Sequence, residues 1–164
     1  MEKRGQYFTL DAFIALLVVA TGLILVFAIN SYQPSPAQPQ AISQDFVNSL
    51  AQTKIKEVNN AFVKQQIGAG NITDTDNTIL QQAYEFRKYG RGNFSEWLLS
   101  NVTQNLVPPQ YKFEIYLDGG LALKRGTGQE TSNLLVSSKQ IIFGIVNKST
   151  EFWGPVSVEV RVWQ

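Results

Sequence analysis

AFIALLVVATGLILVFAI, residues 12 to 29, contains no charged side chain and no proline. With Phe8 to Leu10 before it and the polar exit Asn30 to Tyr32 after it, the stretch makes a helix long enough to cross a hydrocarbon layer about 30 Å thick at about 1.5 Å per residue. The reading is a transmembrane helix over residues 8–32. Lys3 and Arg4 precede it, and no Lys or Arg follows until Lys54. That bias places residues 1–7 in the cytoplasm as a leader and the rest of the chain outside. A cleaved secretory signal shares the basic start, but its apolar region is about 7 to 15 residues long and closes on small residues. This one is longer and runs out through Phe27, Asn30, Tyr32 and Gln33.

Asp11 stands where the apolar run begins. An acid on a membrane helix is costly and usually has a partner or a function. A plainer role for Asp11 or Thr9 is to cap the helix start near the headgroups, where the helix dipole favours negative charge.

After the anchor, 164 residues leave room for one domain. The 14 basic and 13 acidic residues are scattered and give a net charge of +1, so no electrostatic footprint for nucleic acid is visible. The absence of Cys and His removes thiol nucleophiles, imidazole bases, disulfides and the usual zinc ligands. There is no nucleophile elbow, no phosphate-binding loop and no glycine-rich dinucleotide turn, and no two acids stand out as a glycosidase pair. The expectation is a protein that is not an enzyme and needs no cofactor.

Residues 33–40, QPSPAQPQ, hold three prolines and no large apolar side chain, and read as an extended Pro-rich linker. The head then occupies residues 41–164. Ile42, Phe46, Leu50, Ile55, Val58 and Phe62 recur near the helical period and predict one amphipathic helix from Ala41 to Ile67, with Ser43 as its cap and Gly68-Ala69-Gly70 as its stop. A second helix follows the Thr78-Ile79-Leu80-Gln81 capping box and ends at Gly90-Arg91-Gly92. A third, carrying Phe94, Trp97, Leu98, Val102 and Leu106, follows Asn93 as cap and halts at Pro108-Pro109.

Beyond the prolines the period becomes two. Tyr111, Phe113, Ile115 and Leu117 alternate with Lys112, Glu114 and Tyr116, and Asp118-Gly119 turns the chain into Leu121 and Leu123, a hairpin signal. Leu134 to Val136 and Lys139 to Val146 read as separate strands. Val156, Val158, Val160 and Val162 alternate with polar partners in a last one. The fold class is α+β, with short helices packed on one face of a C-terminal antiparallel sheet. Phe46, Leu50, Leu80, Trp97, Phe113, Ile115, Val158 and Val160 are the expected core.

Four sequons, at Asn71, Asn93, Asn101 and Asn147, are candidate N-glycosylation sites. Asn71 and Asn147 fall in expected loops, whereas Asn93 competes with a capping role and Asn101 lies within a helix. Asp74-Thr75-Asp76 with Asn77 offers oxygen ligands but lacks the glycine and distal glutamate of a calcium loop, and helix-start chemistry explains the same residues. No metal site is expected. Arg87, Lys88 and Arg91 form a basic knot beside Tyr89, suited either to a helix C-terminus or to an anionic contact.

The short basic leader Lys3-Arg4-Gly5-Gln6, the acid a few residues on and the uninterrupted apolar helix resemble the class III signal peptide of archaeal type IV pilins. The resemblance covers about the first thirty residues. It implies a prepilin peptidase that cuts near Gly5, Gln6 and Tyr7, and other pilin-like subunits that pack through the same helix into a filament. It further implies that Asp11 is the assembly acid, neutralising a neighbour's terminal amine. The family usually carries Glu there. Cutting after Gly5 makes Asp11 the sixth residue, and cutting after Gln6 makes it the fifth, the usual position. The proline linker and short helices are less typical of the family and suggest a minor pilin or pseudopilin at the cell surface. The competing expectation is a monomeric, membrane-tethered binding module of the cell envelope.

Overall fold

The apolar run folds as one helix, α1, spanning Lys3–Ser31, because nothing in 29 residues interrupts its backbone ladder. The computed structural model describes residues 3–31, 37–129, 132, 134–146 and 151–164. The chain divides into two units, Met1–Ser35 and Pro36–Gln164.

The second unit begins with a departure from the expected linker. Residues 33–36 lie outside the described residues, but 37–40 form the first turn of helix α2, Ala37–Gln52, with Pro39 buried in it. A proline is tolerated there because the first four N–H groups of a helix have no partner within it. Ser43 is therefore not a cap. It lies inside α2, fully buried, and its Oγ donates to Ser138 Oγ at 2.8 Å, with Val160 O at 3.4 Å.

The long helix expected to Ile67 is also broken. After α2 the backbone extends so that Thr53, Ile55 and Lys56 pair with residues 75–79, through Ile55 N to Asn77 O at 2.9 Å, Lys56 N to Thr75 O at 3.0 Å and Ile79 N to Thr53 O at 3.1 Å. A single 3₁₀ turn, Ile55–Glu57, precedes helix α3, Ala61–Gly68. Asn60 caps α3, its Oδ1 accepting from Phe62 N and Val63 N.

Helix α4, Ile79–Lys88, starts at the expected capping box, in which Thr78 Oγ1 accepts from Gln81 N and Gln81 Oε1 accepts from Thr78 N at 2.7 Å. Ile79, Leu80, Ala83 and Phe86 form its buried face. Helix α5, Gly92–Thr103, starts one residue before the expected cap. Arg91 holds the cap position without a side-chain bond, and Asn93 sits inside the first turn. Trp97 on α5 is 50% exposed and leaves the core list, because α5 turns Leu98 and Leu99 inward instead.

Strands β1, Lys112–Leu117, and β2, Gly120–Arg125, are joined by Asp118 and Gly119 at φ 52° and 74°. Two positive φ values in a two-residue loop match the right-handed twist of a hairpin, which is why Asp-Gly serves there. The two separate strands expected after it are one, β3, Leu135–Ile145, and β4, Phe152–Trp163, follows. The antiparallel sheet has the order β2-β1-β4-β3. Ile115 opposes Val160 and Leu117 opposes Val158, so their shared face meets the helices. Phe46 of α2 packs edge-on against Phe113, ring centroids 4.9 Å apart. Each fully buried side chain of this kind stabilises the fold by about 1.5–3 kcal/mol.

The opposite face of the sheet is only partly solvated. Trp163 is wholly buried there, its Nε1 donating to Thr127 O, just beyond β2, at 3.3 Å. Glu114, expected to face water, is 2% exposed.

Candidate functional site

Helix α1 carries the first candidate. Its residues 11–28 are all exposed, and apolar side chains surround it rather than forming a stripe. The stretch Asp11–Ala28 has a mean hydropathy of 2.5, and the helix is long and apolar enough to span a membrane. Thr21 returns its hydroxyl to Leu17 O at 2.6 Å, which satisfies the donor without water. Asp11 does not cap α1, since the helix begins at Lys3, two turns earlier. It is the only acid between Lys3 and Ser31. Gly5, Gln6 and Tyr7 lie in the first two turns of the same helix.

On the head, the outward face of the sheet holds an ionic stripe that crosses all four strands. Lys124 of β2 pairs with Glu114 of β1 at 2.7 Å. Tyr116 donates to Glu114 at 2.9 Å, and this bond raises the phenol pKa above its ordinary value. The guanidinium of Arg161 lies 4.4 Å from the Tyr116 ring centre. Arg161 Nε binds Glu159 at 2.7 Å, and Lys139 of β3 approaches the same carboxylate at 3.2 Å. The Arg161 hydrogen bond, helped by Lys139 and Ser137, holds the Glu159 carboxyl below its usual range. These partners explain how charges can be largely covered on the outward face of a sheet: each is matched within the stripe.

Beside the stripe lies an apolar cluster. Ile141, Phe143 and Ile145 alternate along β3, and Phe152 opposes Ile145 on β4. Phe143 and Phe152 are 70% and 74% exposed. Sequence reading of KQIIFGIV missed this exposure, although apolar residues at consecutive positions put side chains on both faces of a strand.

Clefts also indent the head among the described residues, and two of them bear on function. The larger, about 610 Å3, lies among Val107, Pro108, Tyr111, Lys112 and Arg125. Arg125 Nη1 donates to Gln104 O at 3.0 Å. The other, about 460 Å3, lies between the 70–73 turn, α4 and the Tyr89–Arg91 turn, and is lined by Asn71, Gln82, Glu85, Phe86, Tyr89 and Arg91. Gln82 and Glu85 escaped the sequence reading because an amphipathic helix normally turns such side chains to water.

The remaining sequence candidates separate. The basic knot is dispersed: Arg87 donates to Leu121 O at 2.8 Å, Lys88 pairs with Glu151 at 3.2 Å, and Arg91 reaches Asn71 Oδ1 at 3.3 Å. Asp76 takes Lys56 at 2.6 Å, which raises the lysine pKa, and Asp74 Oδ1 accepts from Asp76 N. Asn71 is engaged on both amide atoms, its Nδ2 donating to Gln66 at 2.7 Å. Asn101 donates to Trp97 O, while the hydroxyl of Thr103 in its sequon is buried on Leu99 O. Asn93 is exposed, but Ser95 of its sequon is fully buried. Asn147 lies outside the described residues. Comparisons with protein-family models, with curated proteins and with solved structures give no match.

Proposed function

We propose that this chain is a single-pass, membrane-anchored structural subunit of the type IV pilin kind, a minor pilin or pseudopilin of a surface filament or secretion-type assembly. It works by association and not by catalysis. One observation carries the reading: α1 is apolar around its whole circumference yet keeps a single acid, Asp11, two turns inside the helix, where no capping role accounts for it. A lone carboxylate beside lipid is costly, and a neighbouring subunit's terminal amine offsets that cost when helices pack together. The partners are then the membrane, sister subunits and a prepilin peptidase.

N-terminal sequencing of protein taken from native membranes tests the reading. A mature start at Gln6 or Tyr7 is expected. An intact Met1 favours the tethered module, and a start beyond Tyr32 means the helix was a secretory signal. Protease shaving of intact cells should release the head. Replacing Asp11 by Asn should leave membrane insertion intact and impair co-assembly, because the amide cannot neutralise an amine. Unchanged assembly would remove the acid from the mechanism.

The tethered envelope-binding module is the second reading. The exposed Ile141, Phe143 and Phe152 favour it, since large apolar side chains grouped on a surface mark interaction sites.

A further inference from the structure

We propose that the cleft between the 70–73 turn, α4 and the Tyr89–Arg91 turn is a carbohydrate-binding site for a neutral sugar of about one or two rings, a size that suits the lower part of the range of ligand pockets. The cleft measures about 460 Å3. Its wall includes Gln82, which is 3% exposed and whose side-chain oxygen has no hydrogen-bond partner among the described residues. Native proteins leave few buried acceptors in that state, so this one calls for a donor from outside the fold. Glu85, 7% exposed, lines the same cleft and accepts from Asn77 Nδ2 at 3.2 Å.

Arg91 supplies the opposite polarity. One of its nitrogens is fixed on Asn71 Oδ1 at 3.3 Å, and Asn71 is itself held by Gln66, so the guanidinium is positioned by a chain of planar groups. A guanidinium has five N–H donors, and this tie uses one of them. Tyr89 is 52% exposed and adds a flat ring to the lining.

The ligand class follows from this combination. A buried carboxylate and a guanidinium in one small cleft balance each other, which disfavours both phosphates and simple cations. The amide, carboxylate and guanidinium make the lining too polar for a purely apolar ligand. Vicinal hydroxyls both donate and accept, matching Gln82 and Glu85 on one side and Arg91 on the other. The C–H face of a sugar ring is apolar and stacks on an aromatic surface such as Tyr89, an amphipathic side chain suited to a half-wet rim.

The test uses the intact chain in phosphatidylcholine nanodiscs, free of sugar-based detergent. Galactose, mannose, N-acetylglucosamine and the β-linked disaccharide chitobiose are titrated by saturation-transfer difference NMR. At least one should bind saturably, with transfer strongest at ring C–H protons. Tyr89→Ala and Arg91→Ala should each weaken that binding by about tenfold or more. Trp97→Ala, which removes an exposed aromatic ring on α5, should leave it unchanged. Should Arg91→Ala lose its native circular dichroism, Tyr89→Ala decides the matter alone. No saturable binding by any of the four sugars, binding indifferent to Tyr89→Ala, or an equal loss in Trp97→Ala overturns the proposal. None of these outcomes depends on leader processing, so the site and the subunit reading fail separately.

Discussion

Glu159 shows how a single charge can be both largely covered and stabilising. Its carboxylate receives Arg161 at 2.7 Å, Ser137 at 3.0 Å and Lys139 at 3.2 Å, and it is held below the ordinary carboxylate value of 4.5. A group whose pKa is depressed by folding contributes stability above its unfolded value, and that contribution disappears as the pH falls through the folded one. Glu159→Gln should therefore be less stable than the parent by roughly 0.5–1 kcal/mol at neutral pH. The gap should close below pH 4.5, and thermal melts of both proteins across the acid range would check it. A constant gap at every pH would mean that packing, and not charge, is at stake. At this scale the sequence was only half legible. The alternation of β1 placed Glu114 on the outward face correctly, but its burial depends on Lys124 and Tyr116, which come together only once β2 and β1 are in register.

Among the elements, α4 is the one whose limits could be read outright, because its start is local chemistry. Thr78 and Gln81 satisfy each other's backbone groups, and Gln81 Nε2 goes on to donate to Phe143 O at 2.8 Å, tying the helix start to β3. Thr78→Ala should cost about 1 kcal/mol, while Thr78→Ser should restore most of it. Chemical denaturation of the two variants separates the outcomes, and equal stability of Ala and Thr would discount the cap. The run from Ala41 to Ile67 was misread for the opposite reason. Its apolar spacing suits a helix throughout, but residues 53–56 pair with residues 75–79, some twenty positions on, and a distant strand-like partner leaves no local trace. Two signs were present: the five-residue gap between Leu50 and Ile55, and Asn60, a good cap residue, inside the supposed helix. The far end of the linker, residues 37–40, was misread likewise, since prolines that forbid a helix interior are welcome in its first turn.

For the molecule as a whole, the α+β architecture was legible because the change from a helical to a twofold period near Pro108 survives any local error. The candidate site was less so. Gln82, Glu85 and Arg91 converge through the packing of α4 against α5 and the turn before it, and no spacing in the sequence announces a cleft. The second unit carries its own core, from Phe46 through Val162. A fragment of residues 36–164 should accordingly be a soluble monomer with mixed helix and strand circular dichroism and a single cooperative melt. A fragment starting at Ala41 should melt lower, because it loses the α2 turn that holds buried Pro39. An unfolded longer fragment would show that the anchor is needed for folding.

The place of β4 governs how this head is made. It is the last of the four strands to leave the ribosome, yet it lies between β1 and β3 and hydrogen-bonds to both. Until residues 152–163 arrive, the β1–β2 hairpin and β3 have no common neighbour, and each offers unpaired backbone to any passing strand. Synthesis halted before Phe152 thus yields no smaller version of the head but two separate adhesive edges on a chain already carrying its apolar helix. Such a product is one that surveillance proteases should meet at once, and completion of the final strand becomes the step that commits the protein to its native form.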